Sequence, residues 1–218
     1  MTATSVSCAA ALLVAAWLGA GEVRADAVEA PTPAVTVASA TSARERIESL
    51  HAAMLAALRD AEELGLEGRQ DLLDPVIREV FDLAFMAEKS VGAHWRKLSD
   101  DERTEWLQLF KRFMVASYAS RLEGFHGQQF RVHGVEPGGR DTLAVKTEVV
   151  DPGIEPVSIV YRMRETSAGW QVIDLYLKGT VSELAVRRSD YAGVLRSGGF
   201  TALRESVEEK IAEFATGP

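Results

Sequence analysis

The sequence predicts an α+β fold, with N-terminal helices packed on a four-stranded antiparallel sheet and helices again at the C-terminus. Three observations carry this. Residues 157–177 hold two strand-like runs joined by a tight turn, residues 42–118 repeat apolar side chains at helical spacing, and helical character returns beyond Gly179. A sheet with an apolar face needs a cover, and the flanking helices supply it.

The strand pair is the clearest element. Val157, Ile159, Tyr161 and Met163 alternate with Ser158, Val160, Arg162 and Arg164, the period of a half-buried strand. Ser167-Ala168-Gly169 supplies a hairpin turn, since glycine reaches positive φ without a Cβ clash. From Trp170 to Leu177 simple alternation puts Ile173, Leu175 and Leu177 on one face. Trp170, Val172, Asp174 and Tyr176 then share the other. Two further strands are expected at about 129–135 and 142–150, set off by Pro137-Gly138-Gly139 and Pro152-Gly153.

The helices follow from caps and spacing. Ser42 and Glu45 form a capping-box pattern ahead of Ile47, Leu50, Met54, Leu58 and Ala61, ending near Gly65. A second helix, carrying Leu72, Leu73, Val76, Ile77 and Val80, is expected to start or break near Pro75. Asp82 can cap a third, ending at Gly92. Ser99 to Glu102 is the cleanest start signal, and Trp106, Leu109, Phe110, Phe113, Met114, Ser117 and Tyr118 then recur at three and four. Two closing helices, from about Ser182 and from Thr201 to Phe214, are separated by Gly198-Gly199.

With 218 residues and 47% hydrophobic content, the chain suits one domain with a sizeable core. A net charge of −8 and a pI near 5.1 argue against nucleic acid as a partner and against a polybasic membrane anchor. Residues 1–25 read as a signal peptide: Val6 to Ala20 is apolar, and Val23-Arg24-Ala25 offers a small-residue cleavage site. Residues 26–40, with Pro31 and Pro33, read as a flexible leader, and 41–218 as a single domain. The single cysteine, Cys8, lies in the signal segment, which removes disulfides and thiol chemistry from the mature chain.

The chemistry-bearing residue types form few patterns. His51, His94, His126 and His133 show no ligand spacing, so no metal and no cofactor is expected. No serine stands in a nucleophile-elbow context, and Gly138-Gly139 has no following helix to bind phosphate. Asp174, among aromatic neighbours, has two readings: an acid tuned for isomerase or hydrolase chemistry, or a structural acid bonding backbone or pairing with Arg187 or Arg188. The aromatic and methionine stripe from Phe81 to Met114 is in most proteins plain core. Large flexible side chains also suit a pocket for a variable apolar ligand.

Several short motifs are similar to one family. Gly92-Ala93-His94-Trp95-Arg96, Ser99 with Glu102-Arg103, Phe110-Lys111 and Tyr118-Ala119 resemble the first half of the MlaC-like periplasmic lipid-binding proteins, the toluene-tolerance family. Trp170 to Asp174, Gly179, Ser182, Arg188-Ser189-Asp190-Tyr191 and Gly198-Gly199-Phe200 resemble its second half. Gly179-Thr180-Val181-Ser182 is one residue longer than the family's usual Gly-Val-Ser, and resembles a hopanoid-biosynthesis-associated branch.

The resemblance implies an NTF2-like cone: helices over a curved sheet, with an apolar cavity between. It implies a non-enzymatic, monomeric periplasmic carrier moving phospholipid or hopanoid between inner and outer membranes. The implied partners are an inner-membrane transporter and an outer-membrane lipoprotein complex. A chain of about fifteen carbons resists entering water by on the order of 12 kcal/mol, so a shuttle must supply equivalent burial. The expected lining is Phe85, Met86, Trp95, Phe110, Phe113, Met114 and Tyr118 from the helices and Val145, Ile159, Tyr161 and Val172 from the strands. Leu184 is expected to join the lipid-binding residues, and one of Arg187 and Arg188, with Arg188 the one assigned to lipid, to stand near the mouth, where its guanidinium could meet a polar head group. The rival readings are an isomerase or hydrolase using Asp174, and a non-catalytic adaptor of a transporter complex.

Overall fold

Helix α1 (Val37–Arg59) begins where Thr36 Oγ1 accepts the Ser39 N–H, ahead of the Ser42–Glu45 pattern. The computed structural model describes residues 36–216, so residues 37–40, expected in the leader, are helical. The signal-peptide reading and the rest of the leader lie outside the described residues. Helix α2 (Ala61–Val80) follows Asp60 and is broken at Gly65, whose φ of 60° and ψ of −169° suit a residue without Cβ.

Pro75 neither starts nor breaks α2; it sits inside it. A helix-interior proline costs about 3 kcal/mol. Leu73, Ile77 and Val80 on either side of it are fully buried, and each contributes roughly 1.5–3 kcal/mol, so packing outweighs the local penalty.

Helix α3 (Leu83–Val91) is capped by Asp82, whose carboxylate accepts from Phe85 N–H at 3.0 Å. A 3-10 turn, Gly92–Lys97, leads to α4 (Asp100–Ala119). Its capping box is complete: Ser99 Oγ accepts from Glu102 N–H, and the Glu102 carboxylate accepts from Ser99 N–H. The capping hydrogen bonds fix where α4 begins, and its buried face of Trp106, Phe110, Phe113 and Met114 fixes which side meets the rest of the molecule.

The sheet runs β1 (Gln129–Gly139), β2 (Thr142–Val150), β3 (Val157–Thr166), β4 (Gly169–Leu177) and β5 (Val181–Ser182), each antiparallel to its neighbour in sequence order. Among the described residues there are thus five strands and not four. Lys178 and Gly179 reverse the chain at positive φ, letting Val181 and Ser182 pair with Leu177 and Tyr176. Helix α5 (Glu183–Thr216) closes the described chain and is broken at Gly199, between the two helices expected there.

The register of β3 and β4 corrects the expected faces. Arg162 pairs with Asp174 and Met163 with Val172, leaving Ile173 as a bulge. Val172 therefore joins Leu175 and Leu177 on the inner face, opposite Met163, Tyr161 and Ile159. Asp174 turns outward with Ile173 beside it. A second contact secures this segment: Asp82 N–H donates to Val172 C=O at 2.9 Å, joining the α2–α3 corner to β4. Most of the buried apolar residues lie between the inner face and helices α1 to α4.

Candidate functional site

A cavity of about 90 Å³ opens between the inner face of the sheet and the helices. Met54 and Leu58 of α1, Met86 of α3 and Met114 and Tyr118 of α4 form its helical wall. Phe130, Val149, Val157, Ile159, Tyr161, Leu175 and Leu177 form the sheet wall. Three flexible methionines among these residues suit an apolar content of variable shape.

One end of this cavity is polar. The strands run antiparallel, so Gln128 before β1 and Asp151 after β2 meet at one end of the sheet, and Glu183 and Arg187 in the first turns of α5 line the same cavity. Arg121, just beyond the C-terminus of α4, joins them. Arg187 lies 3.7 Å from Glu183 and stacks over the Phe113 ring at 4.7 Å. Burial, with the nearby Arg187 charge adding to it, lowers the Arg121 pKa. Burial likewise pushes the Tyr118 and Tyr161 phenols up, keeping both neutral.

Gln128 is 5% exposed, and its Oε1 accepts the His126 N–H at 2.6 Å. That bond sets which end of the amide is oxygen and leaves Nε2 buried without a partner among the described residues. Behind the sheet wall, His51 stacks on Phe130 with ring centroids 4.8 Å apart and stands 3.4 Å from the Tyr161 hydroxyl. Burial pulls its pKa down to about 4, so the imidazole is neutral at physiological pH.

Of the residues expected to line a cavity, Met86, Met114, Tyr118, Ile159 and Tyr161 meet in this one. Phe110, Val145 and Val172 pack fully into the core instead, and Phe113 is held between Arg187 and Phe214. Trp95 sits on the 3-10 turn under the Arg103 guanidinium. Phe85 is one residue from Met86, and about 100° of helix rotation turns its ring outward, where Arg164 covers it at 4.4 Å.

The mouth prediction is displaced by one residue. Leu184 and Arg188 line a separate cleft of about 680 Å³ on the outer side of the sheet, and the neighbouring i, i+4 pair Glu183 and Arg187 reaches the cavity. Strand β5 sets this phase, because pairing through Ser182 makes Glu183 the first helical residue. Met54, Leu58, Leu175, Leu177, Arg121 and Gln128 went unnoticed as lining. The α1 side chains carried a visible apolar stripe; Arg121 and Gln128 had no sequence signal.

Asp174 is engaged by the fold through both carboxylate oxygens. Its carboxylate accepts from Leu175 N–H at 2.8 Å, Leu184 N–H at 3.1 Å and the Ser182 hydroxyl at 2.6 Å. These bonds tie β4, β5 and the start of α5 together, and its expected pairing with Arg187 or Arg188 does not occur.

The family model described as MlaC protein matches residues 48–209, which include every cavity-lining residue. Over 149 residues the chain is 22% identical to the intermembrane phospholipid transport system binding protein MlaC of Haemophilus influenzae, spanning 66% of this chain and 67% of that one. The fold is similar to that of the phospholipid-binding protein from Ralstonia solanacearum, solved in complex with a phospholipid. Its TM-score is 0.69 at 22% identity, covering 80% of this chain and 99% of that chain. With a family match spanning well over half its length, and helices laid over an antiparallel sheet around an apolar cavity, the chain belongs to the MlaC protein family.

Proposed function

We propose that this protein is a non-enzymatic carrier that takes a phospholipid through the aqueous space between two membranes. The observation that carries the reading is the cavity itself: apolar walls from both sheet and helices, lined at one end by a cluster of charged and amide side chains. That is the layout a lipid requires, with hydrocarbon replaced into an apolar environment and the polar end met by polar groups. The phospholipid named for the Haemophilus and Ralstonia proteins supports the same cargo class. Asp174 lies outside this cavity and its carboxylate ties β4, β5 and α5 together, which speaks against acid–base catalysis at the position where it was most expected.

At about 90 Å³ the cavity is smaller than the roughly 300–1,000 Å³ typical of ligand pockets. Taking in a diacyl lipid therefore requires the helices and sheet to part. We assign that opening to exchange at membrane complexes, an inner-membrane transporter and an outer-membrane lipoprotein complex, with the carrier acting as a periplasmic monomer exported on residues 1–25. The longer Gly179–Ser182 segment, which forms the β4–β5 reversal, is the feature that raises hopanoid as the alternative cargo.

Mass spectrometry of an organic extract of the purified mature protein tests this. Intact phospholipid approaching one per chain is the expected result. A hopanoid would redirect the cargo assignment. No bound lipid, even after incubation with phospholipid vesicles, or lipid recovered chemically altered, would overturn the carrier reading.

A further inference from the structure

Three features of the polar end point to a particular ligand group. Arg121 is half-buried on the cavity wall and makes no side-chain hydrogen bond or ion pair among the described residues. Arg187 shares that end, held by its stacking on Phe113. The buried Nε2 of Gln128 lacks an acceptor. A buried donor without a partner costs on the order of 1–3 kcal/mol, so Gln128 Nε2 and Arg121 favour a ligand that brings acceptor oxygens, with Arg187, paired to Glu183, beside them.

Resting on the carrier reading, we infer that Arg121, Arg187 and Gln128 form a phosphate-binding site that selects lipids carrying a phosphodiester over neutral lipids with the same chains. Two guanidiniums and an amide N–H match the several oxygens of a phosphate better than a single hydroxyl, which accepts only weakly. Glu183 and Asp151 stand on the same wall, so the end carries two positive and two negative groups. Selection is accordingly for the phosphate group and not for net negative charge. A zwitterionic head can be held with its phosphate on the arginines and its ammonium toward a carboxylate.

The test is a competition. Vesicles carry equal amounts of palmitoyl-oleoyl-glycerol, phosphatidylethanolamine and phosphatidylglycerol with those same chains. They are incubated with the protein, and the bound lipids are counted by mass spectrometry. The wild type should take both phospholipids over diacylglycerol by about tenfold or more, the range for charge-assisted hydrogen bonds. Arg121→Gln, and Gln128→Glu, which keeps the acceptor for His126 N–H, should bring that ratio toward one while lipid is still bound. Arg188→Gln, on the outer cleft, should leave it unchanged. Thermal unfolding confirms which variants are folded, and Arg187→Gln carries the test if Arg121→Gln is not. Uptake in proportion to vesicle content by the wild type, or an unchanged ratio in folded variants, overturns the phosphate site while the carrier reading stands. Uptake of no lipid at all overturns both.

Discussion

The hollows on the two sides of the sheet differ in opposite senses by size and by chemistry. The outer cleft, about 680 Å³, is lined by Lys89, Arg140, Arg162, Arg164 and Arg188, facing Asp141, Glu165 and Asp174. Much of its polarity is already used within the protein: Arg164 pairs with Asp82, Arg162 donates to Thr142, and Asp174 accepts three hydrogen bonds. The inner cavity, about 90 Å³, is mostly apolar, yet among the described residues it keeps donors without acceptors in Arg121 and Gln128 Nε2. The comparison teaches that unfilled bonding capacity marks the functional hollow better than volume does. A group whose bonds are complete stabilises the fold, whereas an incomplete one is available to a ligand.

The sharpest way to break the comparison is to separate core from cavity wall on one helix. Phe110 is fully buried and does not reach the cavity, so Phe110→Ala should cost about 3–5 kcal/mol in denaturant unfolding. Met114, one turn on, lines the cavity. Met114→Ala should cost less than about 2 kcal/mol, since its void joins an existing one, and should show mainly as a changed lipid content. Equal losses of stability would show that the cavity wall is ordinary core.

A pH titration addresses His51, buried behind Phe130 and Tyr161. Above pH 6.5 His51 is neutral in both folded and unfolded chains. Below it the unfolded chain gains a proton that the folded one, with its pKa near 4, refuses. Stability should therefore fall by on the order of 3 kcal/mol between pH 6.5 and 4. His51→Phe should flatten that part of the profile, measured by denaturant midpoints at each pH. An unchanged slope in the variant would show that other groups carry the acid sensitivity.

On the outer side Asp174→Asn should lower stability by about 1–3 kcal/mol, because an amide nitrogen cannot accept the hydrogen bonds that its carboxylate oxygen now takes. Its bound lipid should match wild type; a change in cargo would mean the outer cleft communicates with the cavity. The smallest effect is expected for Arg188→Gln, exposed on that cleft: within about 0.5 kcal/mol of wild type and with unaltered lipid transfer from vesicles.

Much of the fold was legible because it is written in local chemistry. Ser99 and Asp82 start α4 and α3 by capping bonds to residues three ahead, and β3 shows its buried face by alternation alone. Pro75 misled because a local penalty of a few kcal/mol is smaller than the burial of the residues around it. The start of α1 was placed late because Ser42 and Glu45 make a plausible box, while Thr36 makes the bond.

Local patterning supplies the parts: amphipathic helices, alternating strands, an apolar excess sufficient to enclose a cavity, and a run of motifs similar to one family. The tertiary structure decided phase. The bulge at Ile173 separated Val172, on the inner face, from Asp174, on the outer, and pairing through Ser182 gave the cavity Arg187 in place of Arg188. It also brought Arg121 and Gln128 to one end, although separate elements carry them. A one-residue slip reverses a strand's faces and turns a helix by about 100°. Such slips are set by pairing between distant segments, and no local pattern encodes them.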